Sequence, residues 1–181
     1  MRLLRTSKPD FVYPPNRTPA DGPAYGDPLG DLTGDGYADM LATTSGGTLR
    51  LYPGRGDGRF GTSRTVGRSG WKGALIAHGG DFGPGFGSAD GYEDFLVRFA
   101  GGKKLFLIPN DGTGGPLQWG RQELVRRDAH GRPLQDWSRV RQLLTPGDLD
   151  LDKALGRRNG NDLLVRECTD ASCSARAGGR G

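Results

Sequence analysis

The side chains best placed to do chemistry in this chain are aspartates, and they are spaced for a hard cation. Asp31, Thr33, Asp35, Tyr37 and Asp39 occupy alternate positions of one short segment. A cation such as Ca²⁺ takes roughly six to eight oxygen ligands at about 2.3–2.6 Å. Alternate positions on a tightly wound loop converge on one point, and Gly36 permits the sharp turn. In this reading Asp31, Asp35 and Asp39 bring charge and Thr33 a hydroxyl oxygen. Tyr37 offers its backbone carbonyl, and water completes the shell. The loop is shorter than an EF-hand, ends in Asp, and runs directly into a strand. The alternative is a metal-free turn, because Asp and Gly favour turns in any case. Three carboxylates crowded together repel one another without a cation, which favours the ion.

Two further segments repeat the theme. Asp81, Ser88, Asp90, Tyr92 and Asp94 keep the same residue types, but Gly83-Pro84-Gly85-Phe86-Gly87 is inserted after Phe82 and must bulge outward for Asp81 to rejoin the others. The third segment offers Asp148, Asp150, Asp152 and Asp162, with Arg157 and Arg158 intruding. Arginine beside a cation site opposes binding.

Other chemistries find less support. Residues 56–61 satisfy GxGxxG, but a dinucleotide site needs that pattern between a strand and a helix, and no helix follows. Arg55-Gly56-Asp57, an adhesion tripeptide, falls in the same hairpin loop. Asn16-Arg17-Thr18 is a glycosylation sequon, meaningful only in a eukaryotic secretory setting. Cys168 and Cys173 lack two further ligands for zinc, with His78 and His130 distant in sequence, so a small disulfide is favoured over free thiols. No Gly-x-Ser-x-Gly or His-Glu-x-x-His motif exists. The acidic residues invite a glycosidase reading, but the cation pattern already claims them, and a catalytic pair needs a defined separation across a cleft. Trp71 and Trp137 could stack on sugars; at matching positions they are expected in the core. No catalytic residue is assigned, and the chain is not expected to be an enzyme.

Composition sets the outer bounds. The 181 residues include 33 glycines and 12 prolines, which fits either disorder or a turn-rich all-β protein. Short apolar bursts bounded by Gly, Asp or Asn, such as Leu105-Phe106-Leu107-Ile108, favour strands between tight turns. The net charge of +4 is spread along the chain in alternating signs, so nucleic acid is not an expected partner. No apolar run approaches the roughly 18 residues of a membrane span. The basic start lacks the apolar core of a complete signal peptide.

The elements that must carry the aspartates form an internal repeat. The block beginning Gly30-Asp31-Leu32 returns at Gly80-Asp81-Phe82 and, more loosely, at Gly147-Asp148-Leu149. Trp71 and Trp137 keep step ahead of the second and third blocks. Strands are expected over residues 38–43, 48–52, 63–66 and 74–78 in the first repeat. In the second they are expected over 93–99, 104–108, 122–125 and 139–144. A short helix over 135–144 is the competing expectation there. Four strands per unit at this period is the signature of a propeller blade.

The block from Gly30 to Leu41, the pair Gly70-Trp71 and Gly58-Arg59-Phe60-Gly61 resemble FG-GAP/VCBS-type repeats over roughly residues 26 to 167. The resemblance implies an integrin-like β-propeller, calcium in the blade loops, and a secreted or extracellular setting. The expected fold is therefore all-β, an incomplete propeller of about two to three blades with four antiparallel strands each. Residues 1–29 form an N-terminal arm with room for an extra strand at Asp10-Phe11-Val12-Tyr13. Residues 30–79 and 80–146 are the first two blades, and 147–181 a partial third with a tail. Such a module is expected to bind or scaffold, with an unknown protein or glycan as ligand. A glycan-binding propeller and an accessory domain of a secreted hydrolase are the alternatives. Further blades are expected from a longer chain or from self-association.

Overall fold

A computed structural model describes residues 30–82, 92–127, 130–134, 136–147 and 162–168. Among them every regular element is a strand, apart from one 3₁₀ turn at Gln118–Gly120. The all-β expectation holds. Strands β1 (Met40–Thr43), β2 (Leu49–Tyr52) and β3 (Arg64–Gly67) form an antiparallel sheet in that order. A second antiparallel sheet runs β4 (Leu75–Ala77), β5 (Phe95–Arg98), β6 (Leu105–Ile108) and β7 (Gln122–Leu124). Short strands β8 (Arg126–Arg127) and β9 (Pro133–Leu134) pair with each other, as do β10 (Val140–Gly147) and β11 (Asp162–Glu167).

Side-chain alternation explains why the sheets stack. On β2, Leu49 and Leu51 are fully buried while Arg50 and Tyr52 are only half-buried, the period of a strand with one face covered. β5 is buried along its whole length and feeds two cores. Phe95 and Val97 join Leu32, Leu49, Leu51, Trp71 and Ile108 between the first two sheets. Leu96 joins Ala77, Leu105, Leu107, Trp137, Val140 and Leu143 on the other side.

Trp71 and Trp137 each anchor a tight turn that launches a strand. The Trp71 N–H donates to the Gly47 carbonyl (3.1 Å), and the Ala74 N–H returns to the Trp71 carbonyl (3.1 Å). The Trp137 N–H donates to Lys103 O (2.8 Å), and Val140 N–H to Trp137 O (3.0 Å). Trp71 lies over Gly67, where a Cβ would come within 2.2 Å of the indole nitrogen. Both indoles are buried, at 3% and 6% exposure, so neither is available to stack on a sugar.

One expectation is corrected. The strand expected at 74–78 was grouped with the first repeat; β4 instead pairs with β5, in the register Leu75↔Arg98, Ile76↔Val97, Ala77↔Leu96. The tryptophan turn thus ends one unit and starts the next, and the second aspartate segment connects the first and second strands of its sheet, β4 and β5. Of the strand expected over 139–144 and the short helix that competes with it, the strand forms, as β10. Pairing of β10 with β11, with Leu143↔Val165 and Leu144↔Leu164, satisfies the backbone across a sheet instead. The β8–β9 hairpin accounts for part of the longer spacing of the second repeat.

Candidate metal centre

The first aspartate loop is built by its own backbone. The Asp39 N–H donates to the Gly30 carbonyl (2.7 Å) and closes the neck. Within the loop, the Asp31 carboxylate accepts the Asp35 N–H on Oδ1 (3.0 Å) and the Gly36 N–H on Oδ2 (2.7 Å). Asp35 Oδ1 accepts the Tyr37 N–H (2.9 Å). Gly34 and Gly36 take φ of +71° and +87°, the left-handed region where a side chain is strained.

Asp31 is buried, and burial pushes its carboxyl up to about 6. The nearby charges of Asp35 and Asp39 push the same way, and the two amide bonds offset only part of this. Beside it, the Thr33 hydroxyl oxygen is shut off from solvent with no hydrogen-bond partner. A hard cation suits both features, since it stabilises the ionised carboxyl and gives the hydroxyl oxygen something to bind. Asp31, Thr33 and Asp35 are the residues that would hold such an ion. Among the described residues, no three acidic, His or Cys side chains are gathered as a ligand set.

Asp39 does a different job. Its Oδ2 accepts the Thr33 N–H (2.9 Å) and its Oδ1 the Gly54 N–H (2.8 Å). It clamps the loop to the turn after β2. The second loop repeats this clamp. The Asp94 N–H donates to Gly80 O (2.8 Å), and Asp94 Oδ2 and Oδ1 accept the N–H groups of Phe82 (2.9 Å) and Asn110 (3.0 Å). Asp94 is 1% exposed. Asp81 is buried in the same neck, and Tyr92 is half-buried. Ser88, Asp90 and the inserted residues 83–87 lie outside the described residues, as do Asp148, Asp150 and Asp152 of the third segment. Asp162 opens β11 opposite Gly147.

Two residues not singled out from sequence, Glu93 and Asn110, bind the two loops together with Tyr92. Glu93 Oε1 accepts the Gly30 N–H (2.7 Å), and its Oε2 lies 3.3 Å from His78 Nδ1. Asn110, fully buried, donates from Nδ2 to Leu32 O (2.8 Å) and Glu93 O (3.1 Å) and accepts the Gly114 N–H on Oδ1 (3.0 Å). The Tyr92 ring packs over both Gly34 and Gly112, where a Cβ would meet it at 2.7 and 2.4 Å. The signal for Glu93 and Asn110 was a departure from the repeat: they stand where the first repeat has Ala38 and Gly54.

The discounted motifs keep their plain reading. Residues 56–61 sit in a hairpin loop closed by Arg55 N–H to Arg59 O (3.1 Å) and Gly61 N–H to Pro53 O (2.7 Å), and strand β3 follows. Cys168 is disulfide-bonded; Cys173, the other cysteine of the chain, lies outside the described residues. No helix among the described residues is long and apolar enough to cross a membrane. No family model, curated protein or solved structure matches the chain.

Proposed function

We propose that this chain is a calcium-stabilised module of β-propeller blades that acts as a non-catalytic binding or scaffold domain of an extracellular protein. The observation that carries the reading is the corner made by Asp31, Thr33 and Asp35. It combines a buried carboxyl pushed up to about 6 with a buried hydroxyl that lacks a partner. The four-strand sheet β4–β7, with an aspartate segment joining its first two strands, supports the blade reading. So does the likeness of the aspartate block to FG-GAP/VCBS-type repeats. In this reading Asp31, Thr33 and Asp35 face the ion, while Asp39 and Asp94 tie their loops to the amides of Gly54 and Asn110.

The test is thermal unfolding with millimolar CaCl₂ against the same buffer with EDTA. A ligand that binds only the folded state at about 100 times its Kd adds roughly 2.7 kcal/mol. A clear rise in Tm with calcium is expected, and Asp35→Ala should remove most of it. Superimposable curves would remove the basis for the reading.

A further inference from the structure

The first aspartate loop is gripped from outside as well as built from within. Gly30, Leu32, Thr33 and Gly34 each touch the second repeat. Glu93 Oε1 takes the Gly30 N–H (2.7 Å), and Asn110 Nδ2 donates to the Leu32 carbonyl (2.8 Å). The Leu32 side chain is fully buried with Phe95, Val97 and Ile108. Gly114 faces the Thr33 methyl, where a Cβ would come within 3.0 Å. Tyr92 covers Gly34, where a Cβ would come within 2.7 Å of the ring.

These contacts alternate with the ligating residues. Gly30, Leu32 and Gly34 are fixed points, and Asp31 and Thr33 lie between them. Threonine is stiff at χ1, so the methyl contact with Gly114 also sets the direction of the Thr33 hydroxyl. Gly34 and Gly36 give the loop backbone freedom that it must lose to hold an ion.

The grip goes beyond what the repeat pattern requires. In the first repeat Tyr37 packs over Gly56, and the Gly54 N–H bonds Asp39. In the second, Tyr92 packs over Gly112, and the Asn110 N–H bonds Asp94. Those pairs match. Beyond the match, the Tyr92 ring also reaches Gly34, and Asn110 has a side chain where Gly54 has none. That side chain is locked in its own turn, since Oδ1 accepts the Gly114 N–H (3.0 Å) while Nδ2 also donates to Glu93 O (3.1 Å). Both additions go to the first loop.

We propose that Tyr92 and Asn110 are positioning residues for the ion of the first loop: the loop reaches full affinity only when docked on the second repeat, and the bound ion in turn fastens the two repeats together. The proposal rests on the calcium reading of Asp31, Thr33 and Asp35. The effect of both side chains passes through the Leu32–Gly34 segment. The role belongs to the Tyr92 ring and is separate from the backbone carbonyl that the sequence pattern offers to the second loop. Coupling of this kind is reciprocal: whatever the second repeat adds to ion affinity, the ion returns to the docking.

Calorimetric titration of calcium into the chelator-treated full chain tests it, with the first-loop site defined as the binding that Asp35→Ala removes. Tyr92→Ala should weaken that site about tenfold, a usual size for coupled sites. Tyr92→Phe, which keeps the ring, should restore most of the affinity. In the Asp35→Ala background, Tyr92→Ala should leave any remaining calcium binding unchanged. A second arm keeps the second repeat intact: in hydrogen exchange, calcium should slow the Asn110 and Gly114 amides of the wild type but not those of Asp35→Ala. Four results would overturn the proposal and leave the calcium reading standing. They are an unmoved first-loop Kd in folded Tyr92→Ala, a change of the same size in the Asp35→Ala background, protection confined to residues 31–39, and equal slowing in Asp35→Ala. A wild type that takes up no calcium would overturn both.

Discussion

Replacing Asp94 by alanine removes one side chain and unfastens two segments. Its carboxylate is 1% exposed and takes the N–H of Phe82 on one oxygen and that of Asn110 on the other, at 2.9 and 3.0 Å. Asn110 is itself fully buried, so water cannot replace the lost acceptor there. A buried donor left without a partner costs about 1–3 kcal/mol. Two such donors put the expected loss near 4 kcal/mol, a large share of a typical domain's 5–15 kcal/mol or so. Asp94→Asn keeps one acceptor oxygen and should lose about half as much. Urea unfolding followed by tryptophan fluorescence measures both. Exposed Asp57, which accepts only the Arg59 N–H within its own turn, serves as control, with an expected loss under about 1 kcal/mol. The Asp94 loss should be the same in EDTA and in calcium, because the contacts are to backbone. A loss below about 1 kcal/mol for Asp94→Ala would refute the clamp.

Two further outcomes follow from the same loops. Because the folded carboxyl of Asp31 lies at about 6 against an ordinary 3.8, ionising it costs the folded state more than the unfolded one. Below about pH 4 both states are protonated and no penalty applies; as pH rises through about 6 the contribution is lost. In EDTA, stability should therefore fall across that window, and Asp31→Asn should flatten the fall in denaturant midpoints taken at several pH values. Gly112→Ala should destabilise more than Gly58→Ala. Both glycines have φ near +80°, but only at Gly112 would a Cβ strike the Tyr92 ring, at 2.4 Å. Scanning calorimetry should show about 1 kcal/mol for Gly58 from the backbone alone and at least twice that for Gly112.

Strand positions were legible because short-range signals determine them. Gly46-Gly47 and Gly101-Gly102 mark hairpins, and the apolar alternation of β2 and the unbroken apolar run of β6 mark strands. Strand partners were not legible. The sequence from Trp71 to His78 reads equally as the end of one unit or the start of the next. The choice rests on Leu75 and Ala77 packing toward Trp137, a contact distant in sequence. β10 read as a helix or a strand because 135–144 is short, and its pairing with β11 decides.

The aspartates of the loops were visible, but their roles were not. Spacing alone treats Asp31 and Asp39 as equivalent. The structure sets Asp31 on the amides of Asp35 and Gly36 inside its own loop, and Asp39 on that of Thr33 and on that of Gly54, in the turn after β2. Glu93 and Asn110 escaped notice because their partners, Gly30 and Leu32, belong to the preceding repeat.

The most direct test of the central claim is calorimetric titration of calcium into chelator-treated protein, beside Asp35→Ala and Thr33→Val. The account predicts saturable binding by the wild type, with a Kd anywhere from micromolar to about millimolar. It predicts weaker binding by Thr33→Val, which removes only the hydroxyl oxygen, and loss of the first-loop site in Asp35→Ala. Wild-type protein that takes up no calcium at millimolar concentrations would contradict it, as would variants that bind as the wild type does.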